Sequence, residues 1–232
     1  MSMTRSRIAI ILDENTSGDA SRYEAHKGYF CGVHDAGGMG FGIPFFPELI
    51  DSVPVEFDGL LIVGGRFAYP EGWYVDGEIS RAPHSERLQI DLGLIGAFLG
   101  AGKPILGICA GMQALACLNG SRMCPDIAAL MPSAIAHDKA GQLHSADVIP
   151  DTLLARTLGV ASLDINSFHR EAVVETGPGV TVCARAADGV IEAIEIEGAP
   201  FALGIQWHQE RFVGTDHPGN RIFEAFVSAC RG

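Results

Sequence analysis

The most constraining feature of the chain is the segment Pro104-Ile105-Leu106-Gly107-Ile108-Cys109-Ala110-Gly111. Its first part, Pro104 to Ile108, has no polar face. A strand of that kind is central in a sheet and covered on both sides. It passes at once into an apolar helix, Met112 to Leu118, closed by Asn119-Gly120. Gly-x-Cys-x-Gly at such a turn is the pattern of a nucleophile elbow with Cys in place of Ser. A sharp turn strains its central residue and brings neighbouring backbone close, so the flanking positions must be glycine. The helix start also sets unpaired N–H groups and a positive dipole end beside the sulfur. Both favour the thiolate, the reactive form. The Ala110 N–H would face a developing oxyanion. Cysteine is otherwise a common packing residue. Cys31, Cys117, Cys183 and Cys230 lack this context and read as packing, with Cys124 undecided.

The rest of the chain supplies the sheet around that strand. Arg7–Leu12, Phe41–Phe46 and Gly59–Val63 read as strands. Ser21-Arg22-Tyr23-Glu24 matches a capping box, which predicts a helix through His26, Phe30 and Val33 to Gly37-Gly38. Ser85 caps another helix with Leu88, Leu92, Ile95 and Leu99 as its stripe. Alternation of strand and helix implies a parallel sheet with right-handed crossovers. The second half is richer in strands: Leu143–Ile149, Ala172–Glu175, Val180–Arg185, Val190–Ile196 and Phe201–Trp207. Ile194 and Ile196 alternate with Glu195 and Glu197 as on a half-exposed strand. Leu153–Leu158 and the segment carrying Ile222, Phe223, Phe226, Val227 and Cys230 read as helices. The expected fold is a single α/β domain over residues 1–232, with a mostly parallel central sheet flanked by helices and extended by antiparallel strands.

Composition narrows the function. Lys plus Arg is 16 against 28 Asp plus Glu, a formal charge of −12, and no basic run occurs. This argues against a nucleic-acid partner. No apolar stretch reaches the roughly 18 residues of a membrane span, and Ile8–Leu12 is too short for a signal-peptide core. Six cysteines without a CxxC suit a reducing, cytoplasmic setting. The eight histidines are scattered with no ligand spacing, so no metal site is expected. No phosphate loop or dinucleotide fingerprint follows a strand, so no cofactor is expected either.

A cysteine nucleophile needs a histidine base and the base needs an orienting group. His-x-Glu occurs three times, at His84-Ser85-Glu86, His169-Arg170-Glu171 and His208-Gln209-Glu210. Spacing alone does not separate them. His208 follows a buried-looking strand and falls at a strand end, where α/β sheets collect ligands. His84 reads as a solvated loop residue. His169 lies in the polar segment Asn166-Ser167-Phe168-His169, which reads as a loop that either lines a pocket or is packed down by Phe168. Gly64-Gly65, after the strand Leu60–Val63, can offer N–H groups to an anion. Trp73, Tyr74 and Glu78 read as an aromatic surface loop or a rim.

Together, Gly64-Gly65, the run from Pro104 to Gln113 and Gly204-Ile205-Gln206-Trp207-His208-Gln209-Glu210 resemble a class I glutamine amidotransferase domain. Asn166 to His169 and Asp188-Gly189-Val190-Ile191-Glu192-Ala193-Ile194-Glu195 resemble the branch of γ-glutamyl-γ-aminobutyrate hydrolases and γ-glutamyl hydrolase-like peptidases. The likeness spans about residues 7–231. It implies a triad of Cys109, His208 and Glu210 and an oxyanion hole from the N–H groups of Gly65 and Ala110. It also implies a γ-glutamyl pocket involving Gln113 and the backbone near Ser167 and Phe168, with His169 beside it. Three departures stand out. Gln209 replaces a usual proline, which would loosen the turn. Arg66-Phe67-Ala68-Tyr69-Pro70 replaces an acidic segment, and Glu171 stands where Gln is common. The implied activity is hydrolysis of a γ-glutamyl amide of a small molecule through a thioester. Alternatives are a glutaminase subunit serving a separate synthase, and a non-catalytic binding module. A homo-oligomer is compatible with any of these.

Overall fold

The computed structural model describes residues 5–15, 21–75, 77–131 and 135–232. The first half runs β1 (Arg7–Ile11), β2 (Asp13–Asn15), β3 (Arg22–Glu24), α1 (Lys27–Asp35), β4 (Met39–Ile43), α2 (Leu49–Glu56), β5 (Gly59–Ile62), α3 (Arg87–Gly100), β6 (Ile105–Ile108) and α4 (Ala110–Leu118). There follow β7 (Arg122–Cys124), α5 (Ile127–Leu130), β8 (Asp138–Val148), α6 (Leu153–Leu158), β9 (Ser162–Phe168), β10 (Ala172–Glu175), β11 (Val180–Ala186), β12 (Ile191–Ile196), β13 (Ala202–Ile205) and α7 (Arg221–Ala229). Among the described residues nine strands form one sheet, ordered β4-β1-β5-β6-β13-β12-β11-β8-β9. Pairing is parallel from β4 to β13 and antiparallel from β13 to β9. Two short pairs, β10-β7 and β2-β3, stand apart.

Alternation along the central strands splits the core into two layers, because successive side chains leave opposite faces. Ala9, Ile11, Leu60, Ile62 and Ile105 pack against Val53 of α2, Leu94 and Phe98 of α3 and Met112 of α4. Ile8, Ile10, Leu61, Val63, Leu106 and Ile108 pack against Val33 of α1, Leu158 of α6 and Phe223 and Phe226 of α7. Burying each large apolar side chain contributes about 1.5–3 kcal/mol. β6 is buried at every position, between β5 and β13, as its unbroken apolar run predicts. No helix of the described residues is long and apolar enough to cross a membrane.

Several local expectations are corrected. Ser21 to Glu24 is no capping box: Arg22–Glu24 pairs with β2, and the Glu24 carboxylate accepts from Arg22 at 3.0 Å. The helix starts at Lys27, where the His26 ring accepts the Gly28 N–H at 3.1 Å. The strand expected over Phe41–Phe46 stops at Ile43, before Pro44. On α3 the buried stripe is Arg87, Ile90, Asp91, Leu94, Ile95 and Phe98, with Leu88, Leu92 and Leu99 only partly covered. Asn166 to Phe168 belong to a strand, not a loop. Cys31 is exposed rather than packed, whereas Cys124 is buried. Tyr74 is buried instead of lying on the surface, and Trp73 stacks on Tyr69 at 5.8 Å.

Candidate active site

The elbow forms where β6 meets α4. Cys109 is the N-cap residue of α4, with φ 54° and ψ −106°, a strained region for a side chain bearing a Cβ. The flanking glycines are sterically required. A Cβ on Gly107 would lie 2.6 Å from the Gly111 carbonyl group, and one on Gly111 would run into the Ile62 carbonyl oxygen of β5. Gly111→Ala must therefore push α4 off the sheet. The expected cost is about 2 kcal/mol or more, read as a lowered denaturation midpoint; an unchanged midpoint would refute the packing argument. Tyr69 donates to the Ala110 carbonyl at 2.8 Å and pins the turn from the opposite side. Ala110 is the first residue of α4, so its N–H is one of the donors a helix start leaves unpaired.

His208 follows β13, the strand hydrogen-bonded beside β6. Its imidazole lines the same cleft as Cys109, whose sulfur acts on it from one side. On the other, Nδ1 lies 2.7 Å from Oε1 of Glu210, whose side chain is only 2% exposed. Burial alone would lower the His208 pKa, but Cys109 and then Glu210 outweigh it and raise it to about 10. A protonated imidazole beside sulfur is the charge that stabilises a thiolate. The Asn166 side chain clamps the His208 backbone from both directions. Its Oδ1 accepts the His208 N–H and its Nδ2 donates to the His208 carbonyl, each at 2.9 Å. Phe168 meets the imidazole edge to face at 5.6 Å. Of the three His-x-Glu pairs, only that of His208 reaches the elbow. His84 is exposed, and the His169 ring turns its nitrogens to the Glu171 carbonyl and to Glu192.

A profile of the peptidase C26 family matches residues 7–210. The chain belongs to the peptidase C26 family. A candidate glutamine amidotransferase of Mycobacterium tuberculosis is 31% identical over 217 residues, covering 88% of this chain and 67% of that protein. The γ-glutamyl-γ-aminobutyrate hydrolase of Escherichia coli (strain K12) is 27% identical over 240 residues, covering 97% of this chain and 93% of that protein. Among solved structures, a candidate GMP synthase subunit from Thermoplasma acidophilum superposes with a TM-score of 0.66 over 98% of this chain and 94% of that one, at 17% identity. The last likeness speaks for fold alone. Family and fold are those of class I glutamine amidotransferase-like hydrolases.

In this peptidase C26 chain two clefts meet at Cys109. One is lined by Gly65, Gln113, Phe168, His169 and Glu171, with Arg66, Arg81 and Arg170 exposed around it. The other is lined by Tyr29, Gly64, Gly65, His208 and Glu210. Gln113 is buried, and its amide donates to the Glu171 carbonyl at 3.0 Å and to Gln206 at 3.1 Å. Ser167 is fully buried and faces His137, so it lies behind the cleft wall rather than in it.

Three residues that hold the site carry no signal in sequence spacing. Arg87, wholly buried on α3, donates to the carbonyls of Val63 at 2.5 Å and Gly64 at 2.8 Å, the turn that carries Gly65. Tyr29 accepts the Gly64 N–H at 3.0 Å and sits near Glu210; burial first, then that carboxylate, push its phenol well above the usual value. Gln209 does not loosen its turn. It is buried, accepts from Trp207 at 2.9 Å and donates to Asn220 at 3.0 Å. The amide thereby does by hydrogen bonding what proline does by restricting φ.

Proposed function

We propose that the chain hydrolyses the γ-glutamyl amide bond of a small molecule, with Cys109 as nucleophile. The observation that carries this is the strained elbow cysteine sharing a cleft with a histidine that Glu210 orients. The Cys109 thiolate attacks the γ-carbonyl. The tetrahedral oxyanion rests on the N–H groups of Gly65 and Ala110. Imidazolium at His208 protonates the departing amine, which leaves a glutamyl thioester. His208 then takes a proton from water, and hydroxide attack on the thioester releases glutamic acid, which loses its proton to solvent, and restores the thiolate–imidazolium pair. Glu210 holds the imidazole orientation throughout, the division of labour of a Ser-His-Asp triad. Gln113, Phe168 and the His169 backbone line the glutamyl side, and the exposed arginines around that cleft suit a substrate carboxylate.

A panel of γ-glutamyl amines and glutamine, assayed on the purified chain, tests the reading. Turnover of at least one, with a glutamyl adduct trapped on Cys109, is expected. Absence of both turnover and adduct across the panel would defeat it. Robust turnover by the isolated chain would also remove the reading as a synthase-dependent glutaminase.

The raised His208 pKa sets the pH dependence. Imidazolium persists through neutral pH, so the alkaline fall of kcat/KM is expected only as pH rises toward about 10. The stability contributed by this pair has the same sign. It is complete below the unfolded histidine value of about 6.5 and is lost as pH rises through the folded value. The ring titration followed by NMR checks it. Cys109→Ala should bring the His208 pKa down, because the neighbouring sulfur does most to raise it; a value near 6.5 in the wild-type chain contradicts the ion pair.

A further inference from the structure

Away from Cys109, the fold gathers three histidines around one buried carboxylate. His137 immediately precedes β8, His144 lies on β8, His169 immediately follows β9 and Glu192 lies on β12. Their side chains are 2%, 6%, 2% and 1% exposed, respectively. Oε1 of Glu192 stands 3.4 Å from His137 Nδ1 and 3.6 Å from Nε2 of both His144 and His169. The candidate ligand atoms of His137, His144 and Glu192 all lie within 4.8 Å of one another, a mutual closeness His169 does not share.

The outward nitrogens fix what faces inward. His137 Nε2 lies 3.0 Å from the Asp188 carboxylate, His144 Nδ1 3.3 Å from the Ser145 carbonyl, and His169 Nδ1 3.2 Å from the Glu171 carbonyl. Each of these partners can only accept, so each outward nitrogen carries the proton. In the neutral rings the inward nitrogens are then lone pairs, all turned toward a carboxylate. Nε2 of His144, Nε2 of His169 and both Glu192 oxygens are buried and make no hydrogen bond. Ser167 Oγ lies 3.2 Å from His137 Nδ1 and offers a single donor to this group. Buried lone pairs and a carboxylate converging on one point make a donor set suited to a cation; the proton that Glu192 and Asp188 favour on His137 is the competitor an ion must displace.

We propose that His137, His144, His169 and Glu192 bind one divalent transition-metal ion of the zinc class. Bonds of about 2.0–2.1 Å at tetrahedral angles place neighbouring ligand atoms about 3.4 Å apart, close to the spacings around Oε1. Three imidazoles and one carboxylate favour zinc over calcium or magnesium, which take all-oxygen shells. Hydrogen bonding of each outward N–H to a carboxylate or carbonyl is the outer shell that orients metal-bound histidines. A cleft lined by Asp126, Met131, Ile135, His137 and His169 gives the ion a way in. His169 must move inward to join the other three, and four protein ligands then close the coordination sphere, so the role is structural. The ion ties β8, β9 and β12 together behind Phe168, the residue that packs on His208. Sequence spacing hides the site, because its ligands come from three separate stretches of chain.

The test uses the full chain carrying Cys109→Ala, so that the elbow thiol cannot capture metal. After chelator treatment and dialysis, one equivalent of Zn2+ should bind and raise Tm. Cobalt in its place should give the strong visible absorption of a tetrahedral site without a thiolate charge-transfer band. His144→Ala and Glu192→Gln should each weaken zinc binding at least 100-fold and abolish the Tm shift. His144 sits on a partly exposed strand position, so that variant carries the test if Glu192→Gln does not fold. No uptake by the parent chain, uptake unchanged by His144→Ala, or a thiolate band with cobalt would each overturn the proposal. These readouts do not depend on hydrolysis, so the metal site and the proposed activity can fail separately.

Discussion

Replacing Cys109 by alanine is expected to lower γ-glutamyl amide turnover by about 10^4-fold or more while the chain still folds, with the loss of the stability that the sulfur contributes through the His208 imidazolium. Alanine keeps the Cβ at φ 54°, so the strain of the elbow is unchanged and only the sulfur is lost. The residual rate then reflects the oxyanion donors and substrate binding alone, as when a triad member is deleted elsewhere. Serine at this position is expected to be almost as poor, since the hydroxyl is a far weaker acid than a thiol and the site stabilises an anion before attack. Substrate Kd, measured by calorimetry on the alanine variant, should change little. Two results would reject the nucleophile: retention of a tenth of wild-type kcat by Cys109→Ala, or loss of activity accompanied by loss of the cooperative unfolding transition.

The central architecture was legible because it is written in apolar runs. Pro104 to Ile108 could be nothing but a covered strand, and the glycines around Cys109 admit no side chain. Its place at the end of a buried strand ranked His208 above His84 and His169, and the resemblance to glutamine amidotransferases chose it; position alone could not, since His169 also follows a strand. What stayed hidden was the buried polar chemistry. Arg87 and Asp91 sit one and three positions from Leu88 on α3, so a count of apolar residues draws the stripe one face away from where it lies. Glu192 shares the face of Ile194 and Ile196 on β12, and it is fully buried because three histidines from other elements close over it. Gln209 looks like a loss relative to proline until Trp207 and Asn220 are seen to bind its amide. In each case the partner is distant in sequence, and local pattern carries no trace of a contact made only in the tertiary fold.

Arg87 is where that hidden chemistry bears most directly on the reaction, and Arg87→Leu is expected to cost about 3–5 kcal/mol of stability. The guanidinium is wholly buried, bonds Asp13 at 3.1 Å and Asp91 at 3.2 Å, and lies over the Phe67 ring at 5.1 Å. Removing one partner leaves a buried carboxylate uncompensated, which is the costly way to break such a pair. Burial already pushes Asp91 up to about 6 with Arg87 opposing it, so loss of the arginine drives that acid further toward its neutral form. Stability alone would not make Arg87 a positioning residue. Its bonds to the Val63 and Gly64 carbonyls do, because they set the direction in which the Gly65 N–H points. Arg87→Lys separates the two roles. Lysine keeps the charge for Asp91 but has no planar fork to reach two adjacent carbonyls and two carboxylates together. That variant should retain much of the stability, keep KM within a few-fold and lose about 10^2-fold in kcat, the scale of one misdirected oxyanion donor. A lysine variant with full kcat would show that the turn holds its own shape and that Arg87 serves the core alone.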